Sequence, residues 1–489
     1  RMGFSDPPVV AASIRAWHHG RIGATRSARG RELFTRLAPR LLETAAASGA
    51  PDQAFQRFAL FFAGLSAGVL VQELLLAQPR LLALIVDVLA LAPRLAAVLA
   101  RRPAALDAIL DAPFFAPVAD DSGVLDQLAS EVEAATDFEG AMNAARRIHR
   151  EQVFRIGVHL IEGRADATAA GEAYTDLAHG CIRTLAGAAL KETWRQGGAF
   201  EGRAAVVALG RAGSREMTAT SDLDLMVVYD APEGAASAGK GWSADQVYVR
   251  FTQRLIAALS APTAEGDLYA VDMRLRPTGA KGPVAVRLSA LADYYRTEAQ
   301  TWELLALTRG RVVWASDEAF AAQTAAVIEQ ALRAPIDAAS ARLDVAEMRA
   351  LMARQRPARG AWDLKLAPGG LVDCEFAAQL LQLLHAGDGG PLSPSAPEAL
   401  RRLAADGRFD ATQAEALIAA WRLQQDLDQL IRCALGAGAA PTAEPEGFRR
   451  RLAAWGGAGD FAALERLLAE RRAAARAVFE RLTDAATDW

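Results

Sequence analysis

The chain has 489 residues, 52% hydrophobic and 23% charged. That is too long for one core, so roughly two to four domains are expected. A formal net charge of −4, from 54 basic and 58 acidic residues, leaves no basic footprint and argues against a nucleic-acid partner. The three cysteines, Cys181, Cys374 and Cys433, are far apart and odd in number. They make neither a disulfide framework nor a zinc spacing, and they fit a reducing cytoplasm.

The start, "RMGFSDPPVV", lacks a basic segment followed by an apolar one and does not read as a signal peptide. It begins with Arg, so a piece of a longer protein is expected. Residues 1 to about 115 read as short helices separated by proline-containing turns, "AQPRLL", "LAPRLA" and "RRPAALDAIL". The longest uncharged run there, Phe58 to Gln72, is short for a membrane span. The next run is broken by Pro79, Arg80, Asp87, Pro93 and Arg94. Buried helices and no membrane association are expected.

From about 124 to 196 longer amphipathic helices follow, including "AMNAARRIHREQVFRIGVHLIEG" and "AYTDLAHGCIRTLAGAALKETW". Residues 204–276 change character, with apolar residues alternating with polar ones as in strands. Within them "APEGAASAGKGWS", residues 231–243, reads as a flexible surface loop. After about 330 the pattern is helical again. The expected fold is α+β, mostly helical, with a small mixed-sheet core between helical regions. The expected divisions are 1–118, a helical array; 119–332, the catalytic domain; and 333–489, a helical bundle.

The chemistry concentrates in "VVALGRAGSREMTATSDLDLMVVYD". "AAVVALG" reads as a strand ending at Gly210 and "SDLDLMVVY" as a second. Strand side chains alternate faces, so Asp222 and Asp224 share one face while Leu223 and Leu225 point into a core. Two carboxylates so close raise each other's pKa unless a cation neutralises them. Such oxygens suit Mg²⁺, which binds one or two carboxylates together with phosphate. In "LYAVDMRLRP", read as a strand, Asp272, Arg274 and Arg276 share the polar face. Arginine forks grip phosphate oxygens, although either arginine also fits a structural ion pair with Asp272. Three carboxylates with Mg²⁺ are the parts of two-metal nucleotidyl transfer. The Gly213–Ser214 turn, with Gly210 before it and Ser221 after it, is the expected nucleotide-binding loop. A bare Asp-x-Asp also occurs in turns and helix caps; the combination of motifs favours a site.

At these residues the sequence resembles the nucleotidyltransferase superfamily and, more narrowly, the bacterial glutamine synthetase adenylyltransferase family. The resemblance rests on "IRAWHHGRIGATRSARGRELFTRL", "GSREMTATSDLDLMVVYD", "VDMRLRPTGAKGPVAV", "YYRTEAQTWELLALTRGRVV" and "WDLKLAPGGLVDCEFAAQLLQL". It implies a polymerase-β-like catalytic core, with Asp222, Asp224 and Asp272 as catalytic metal-binding carboxylates. It also implies ATP with Mg²⁺, AMP transfer to a tyrosine of glutamine synthetase, and control by a PII-type signal protein and glutamine. "GRAGS" departs from the family's usual Gly-Lys-x-Gly-Gly, with Arg211 for the lysine and Ser214 for a glycine.

"RPTGAKG" and "QTWELLALTRGR" resemble the family's carboxyl-terminal, adenylylating half. The AMP-removing half, uridylylation of a signal protein, and a non-catalytic nucleotide-binding regulatory module are the alternatives. In "TWELLALTRGR", Glu303 is expected to make a helix-stabilising ion pair with an arginine, or else to touch the ribose or a metal-bound water. Lys365 is expected to reach a phosphate across the cleft or to pair with Asp373 or Glu375. The histidines, His18, His19 and His385 among them, lack ligand spacing.

Overall fold

The computed structural model describes residues 2–65, 68–101, 112–118 and 122–484. The helix expected in "RRPAALDAIL" falls on 102–110, outside the described residues. The chain divides into two compact units, each assembled from three segments.

The first unit comprises Arg1–Ala119, Glu151–Ala170 and Asp426–Arg466. It opens with α1 (Pro7–His18), α2 (Ala28–Ala47), α3 (Pro51–Ala63), α4 (Gly68–Ala77), α5 (Pro79–Leu91) and α6 (Pro93–Arg101). Proline opens four of these helices. Its fixed φ and missing N–H suit the first helical position, so the expected proline turns are helix starts. Trp17 packs on Phe34, Phe55 and Phe62 with ring centroids 5.4–5.6 Å apart. No single helix among the described residues is long and apolar enough to cross a membrane. Helices α4 and α5 have that length and composition only together, and they are bent by 112° at their junction.

Next come α7 (Ser122–Glu133), α8 (Phe138–Ile161) and α9 (Ala167–Gly197), the last two being the expected long helices. The second unit comprises Asp120–Arg150, Gly171–Gln425 and Leu467–Trp489. It contains a five-stranded mixed sheet in the order β3-β2-β1-β5, with β4 also pairing with β2. The strands are β1 (Arg203–Ala208), β2 (Leu223–Asp230), β3 (Val271–Asp272), β4 (Ala285–Arg287) and β5 (Arg311–Ala315). Strand β1 runs antiparallel to both neighbours, β2 and β5, whereas β3 and β4 lie parallel to β2.

The helices around the sheet are α10 (Gly210–Ser214), α11 (Ala244–Ser260), α12 (Leu288–Thr297), α13 (Thr301–Leu307), α14 (Glu318–Leu332), α15 (Ala338–Gln355) and α16 (Leu371–Ala386). Helices α17 (Ala396–Ala405), α18 (Ala411–Ala434), α19 (Glu446–Trp455) and α20 (Phe461–Thr483) follow. The chain is thus mostly helical with a small mixed sheet.

Both faces of the sheet are covered. On one, Tyr229 of β2 stacks on Tyr248 of α11 with centroids 4.7 Å apart. On the other, Met226 and Val228 join a core with Leu305, Leu307, Leu371 and Cys374. Asp224 shares the face of Met226 and Val228, so it stands at the margin of a helical core.

One local expectation is corrected. The strand predicted through "LYAVDMRLRP" is only two residues long, and after Asp272 the backbone turns into a loop in which Thr278 has φ +57°. The 231–243 segment, expected as a flexible loop, is tied back to the end of α9 by backbone hydrogen bonds. The N–H groups of Gly239 and Lys240 bond the Gly197 carbonyl at 3.1 and 2.9 Å. A Cβ at Gly198 would stand 2.2 Å from the Gly239 nitrogen, so two glycines permit that approach.

Candidate active site

The site grows from the end of β1 and the start of β2. Asp224 is opposite Asp272 in the β2–β3 register, and Asp222 precedes β2 by one residue. The Leu209 N–H donates to the Asp224 carbonyl at 2.8 Å, tying the loop after β1 to the same residue. Gly210 follows with φ +52°, and a Cβ there would stand 2.2 Å from Asp224 Oδ2. Only glycine admits both that backbone and that neighbour.

Electrostatics single out Asp224. Burial first, then the charges of Asp222 and Asp272, push its carboxyl up to about 6, against the opposing influence of Lys365 and Arg309. Asp272 moves the other way. Arg274 Nε donates to its Oδ1 and Oδ2 at 3.0 and 2.8 Å, and that arginine holds the carboxyl below its ordinary range. The Arg274 side chain remains 71% exposed. Arg274 also feels Asp224 and Asp222, so the three carboxylates and this arginine form one electrostatic group.

The donor set fits a hard divalent cation, because carboxylate oxygens that strain each other's ionisation are relieved by one. Among the described residues no three His, Cys, Asp or Glu side chains are already gathered as a cation cage. Asp222 and Asp224 supply a pair, and Asp272 is engaged by Arg274. Such a set suits an ion that takes its remaining oxygens from phosphate and water.

The other predicted residues are placed unevenly. The Gly213 N–H is spent on the Leu209 carbonyl at 3.0 Å, so it is not offered to a phosphate. A Cβ at Gly213 would stand 1.8 Å from the Arg309 carbonyl oxygen, so this glycine serves packing. Ser214 is buried. Its Oγ donates to Glu216 Oε2 at 2.8 Å and accepts from Arg309 Nη2 at 2.7 Å. Ser221 Oγ lies 3.0 Å from Thr218 Oγ1 and accepts from the Thr218 N–H at 2.9 Å, shaping the approach to β2.

Arg276 is corrected outright. Its guanidinium donates to the carbonyls of Pro283 (2.9 Å), Met273 (2.5 Å) and Gly282 (3.1 Å), so it braces its own loop. Among the described residues Glu303 makes no arginine pair. It accepts from Tyr294 Oη at 2.8 Å and from the Gln300 N–H at 2.9 Å, closing a capping box on α13. Asp373 binds Arg349 and Arg476, while Glu375 binds Arg309. Lys365 lies close enough to Asp224 to stabilise its charge.

Sequence reasoning gave no site role to Arg309 or Glu216. The letters around Glu216 do not announce that it and its neighbour Met217 are buried. Buried His179 also supports the turn, with Nε2 donating to the Ala212 carbonyl at 3.0 Å. Burial pulls that imidazole down to about 4, so it is neutral.

The model of the glutamate-ammonia ligase adenylyltransferase family matches residues 82–327, half of the chain. The chain belongs to that family. Residues 339–482 match the model of the GlnD PII-uridylyltransferase family. A bifunctional glutamine synthetase adenylyltransferase/adenylyl-removing enzyme from Caulobacter vibrioides is 58% identical over 98% of this chain and 48% of its own length. Proteins of the same name from Brucella suis and Rhizobium meliloti are 40% and 41% identical, over 100% and 98% of this chain and 50% and 49% of theirs. The chain therefore spans about half the length of the curated relatives it matches.

Proposed function

We propose that this chain transfers AMP from ATP to a tyrosine hydroxyl of glutamine synthetase, releasing pyrophosphate. One observation carries the reading. Asp224 and Asp272 stand in register on adjacent parallel strands, with Asp222 beside them and Gly210 leaving room against Asp224. The relatives' names supply the protein substrate.

The carboxylates of Asp222 and Asp224 would hold Mg²⁺, which when bound neutralises charge developing on the nucleotide phosphates. Arg274 is exposed, and its guanidinium would turn from Asp272 to the phosphates as ATP binds. That movement frees the Asp272 carboxylate to accept the tyrosine proton. The tyrosine oxygen then bonds to the α-phosphorus, and the bond from that phosphorus to the pyrophosphate oxygen breaks. Lys365 contributes positive charge on the side of Asp224.

"RPTGAKG" and "QTWELLALTRGR" support the carboxyl-terminal, adenylylating half of the longer enzyme. The match of 339–482 to PII-uridylyltransferases supports a PII-type signal protein as partner. Glutamine as effector rests on the family resemblance. Three buried cysteines, none in a disulfide, support a cytoplasmic setting.

Intact-mass spectrometry of glutamine synthetase incubated with this chain, ATP and Mg²⁺ tests the reading. An AMP-sized gain on a tyrosine, lost with Asp222→Asn/Asp224→Asn, is expected. No gain, together with AMP released from pre-modified glutamine synthetase when phosphate is added, would assign the chain to the removing half.

A further inference from the structure

Arg309 lies in the turn between α13 and β5 and is buried. Its Nη2 donates to Ser214 Oγ (2.7 Å) and Glu216 Oε2 (2.9 Å), and its Nη1 pairs with Glu375 Oε2 at 2.9 Å. Its carbonyl is the atom that a Cβ at Gly213 would strike. One residue thus touches the turn after β1 through both main chain and side chain, and touches α16 through a third contact.

Helix α16 is itself anchored. Asp373, one turn N-terminal of the residues that follow Glu375, takes Arg349 from α15 and Arg476 from α20, and accepts the Gly369 N–H at 2.7 Å. At the other end of the chain of contacts, the turn after β1 is bonded to Asp224 through the Leu209 N–H. The path from α16 runs through Arg309 to the turn after β1 and reaches Asp224 at its main-chain carbonyl.

Resting on the AMP-transfer reading above, we propose that Arg309 is a positioning residue. Paired with Glu375, it holds the 210–216 turn in place beside Asp224. Helix α16, in the stretch similar to PII-uridylyltransferases, is thereby a working part of the nucleotidyl site. The charges explain why an arginine stands here. Glu216 is buried, with Oε1 lacking a hydrogen-bond partner among the described residues, and burial raises its carboxyl while Arg309 opposes that rise. A planar fork reaches Ser214, Glu216 and Glu375 together, which a lysine does not.

Glu375→Gln is the informative variant. It leaves Arg309 balanced by Glu216 and weakens only the tie to α16. Arg309→Lys keeps the charge and loses the fork. ATP·Mg²⁺ is titrated calorimetrically into each variant, and kcat and KM for ATP are measured with glutamine synthetase as acceptor. Each variant is expected to weaken ATP binding and raise KM about tenfold, with kcat far less affected and the urea midpoint held. The double variant is expected to be no worse than Arg309→Lys, since both act through one contact. ATP affinity within about twofold of wild type in both variants, or effects that multiply in the double variant, would overturn the proposal. Wild type that binds ATP but modifies nothing would sink the AMP-transfer reading alone, because the titration still decides the role of Arg309.

Discussion

Asp224 and Asp272 occupy opposite positions of a parallel pairing only two residues long, so two acids leave adjacent strands at the same level. Their environments differ. Asp224 lies at the edge of the helical core and is pushed up to about 6, whereas Asp272 is gripped by Arg274 and held low. Environments that push neighbouring acids apart mark groups given different tasks. Here the raised acid suits a cation and the lowered one stays ionised.

The raised carboxyl has a consequence for stability. Folded Asp224 holds its proton up to about pH 6, whereas an unfolded aspartate releases it near 3.8. Between those values the native state binds more protons than the unfolded one, so stability falls as pH rises. The loss is complete above pH ~6 and amounts to roughly 2–3 kcal/mol. Asp224→Asn should therefore melt higher than wild type at pH 8 and equally at pH 3.5. A gain that does not grow across this window would show that burial and the neighbouring acids do not strain Asp224.

Gly210→Ala should disable the site. The substitution costs about 1–2 kcal/mol for the left-handed backbone alone. Its methyl group would also stand 2.2 Å from Asp224 Oδ2, so the carboxylate must move. Thermal unfolding should fall modestly, while ATP titration should show a far larger loss of affinity. Wild-type affinity in a folded Gly210→Ala variant would mean that Asp224 need not sit where the structure places it.

Much of the site was legible because strands alternate. The two runs around "GRAGS" predicted β1 and β2 without any knowledge of their neighbours, with Asp224 inside β2 and Asp222 one residue before it. The same logic failed at "VDMRLRP", where alternation continues in the letters but the backbone turns after Asp272. Arg276 was misread for that reason: a buried arginine that donates to carbonyls and an exposed one paired with an aspartate look alike in sequence. Gly213 and Ser214 were read as local features, yet both meet Arg309, which lies 96 and 95 positions further on. Composition changes only along the chain, so units assembled from separated segments leave no mark in it.

The contrast between the two arginines makes a third test. Arg276→Ala removes donors from three carbonyls in a partly buried loop and should cost about 1–3 kcal/mol of stability. Arg274→Ala removes an exposed side chain and should leave the melting temperature nearly unchanged. Its effect should fall on KM for ATP and on the acid limb of the rate profile, since Asp272 loses the cation that keeps its carboxyl low. Unfolding by Arg274→Ala with a neutral Arg276→Ala would reverse the roles given to the two residues.

Asp373 is the carboxylate on which the helices behind the site depend. It is 0% exposed, and both oxygens are occupied, by Arg349 on one side and by Arg476 and the Gly369 N–H on the other. Gly369 itself has φ +71°, and a Cβ there would stand 2.0 Å from the Arg472 carbonyl oxygen, so the turn entering α16 has no room to shift. Asp373→Ala leaves Arg349 buried without its counter-charge and should cost about 3–5 kcal/mol, read as a lowered urea midpoint. Arg476 is partly exposed, and Arg476→Ala should cost about 1 kcal/mol or less. Equal losses in the two variants would show that Asp373 is held by the exposed pair rather than by the buried one.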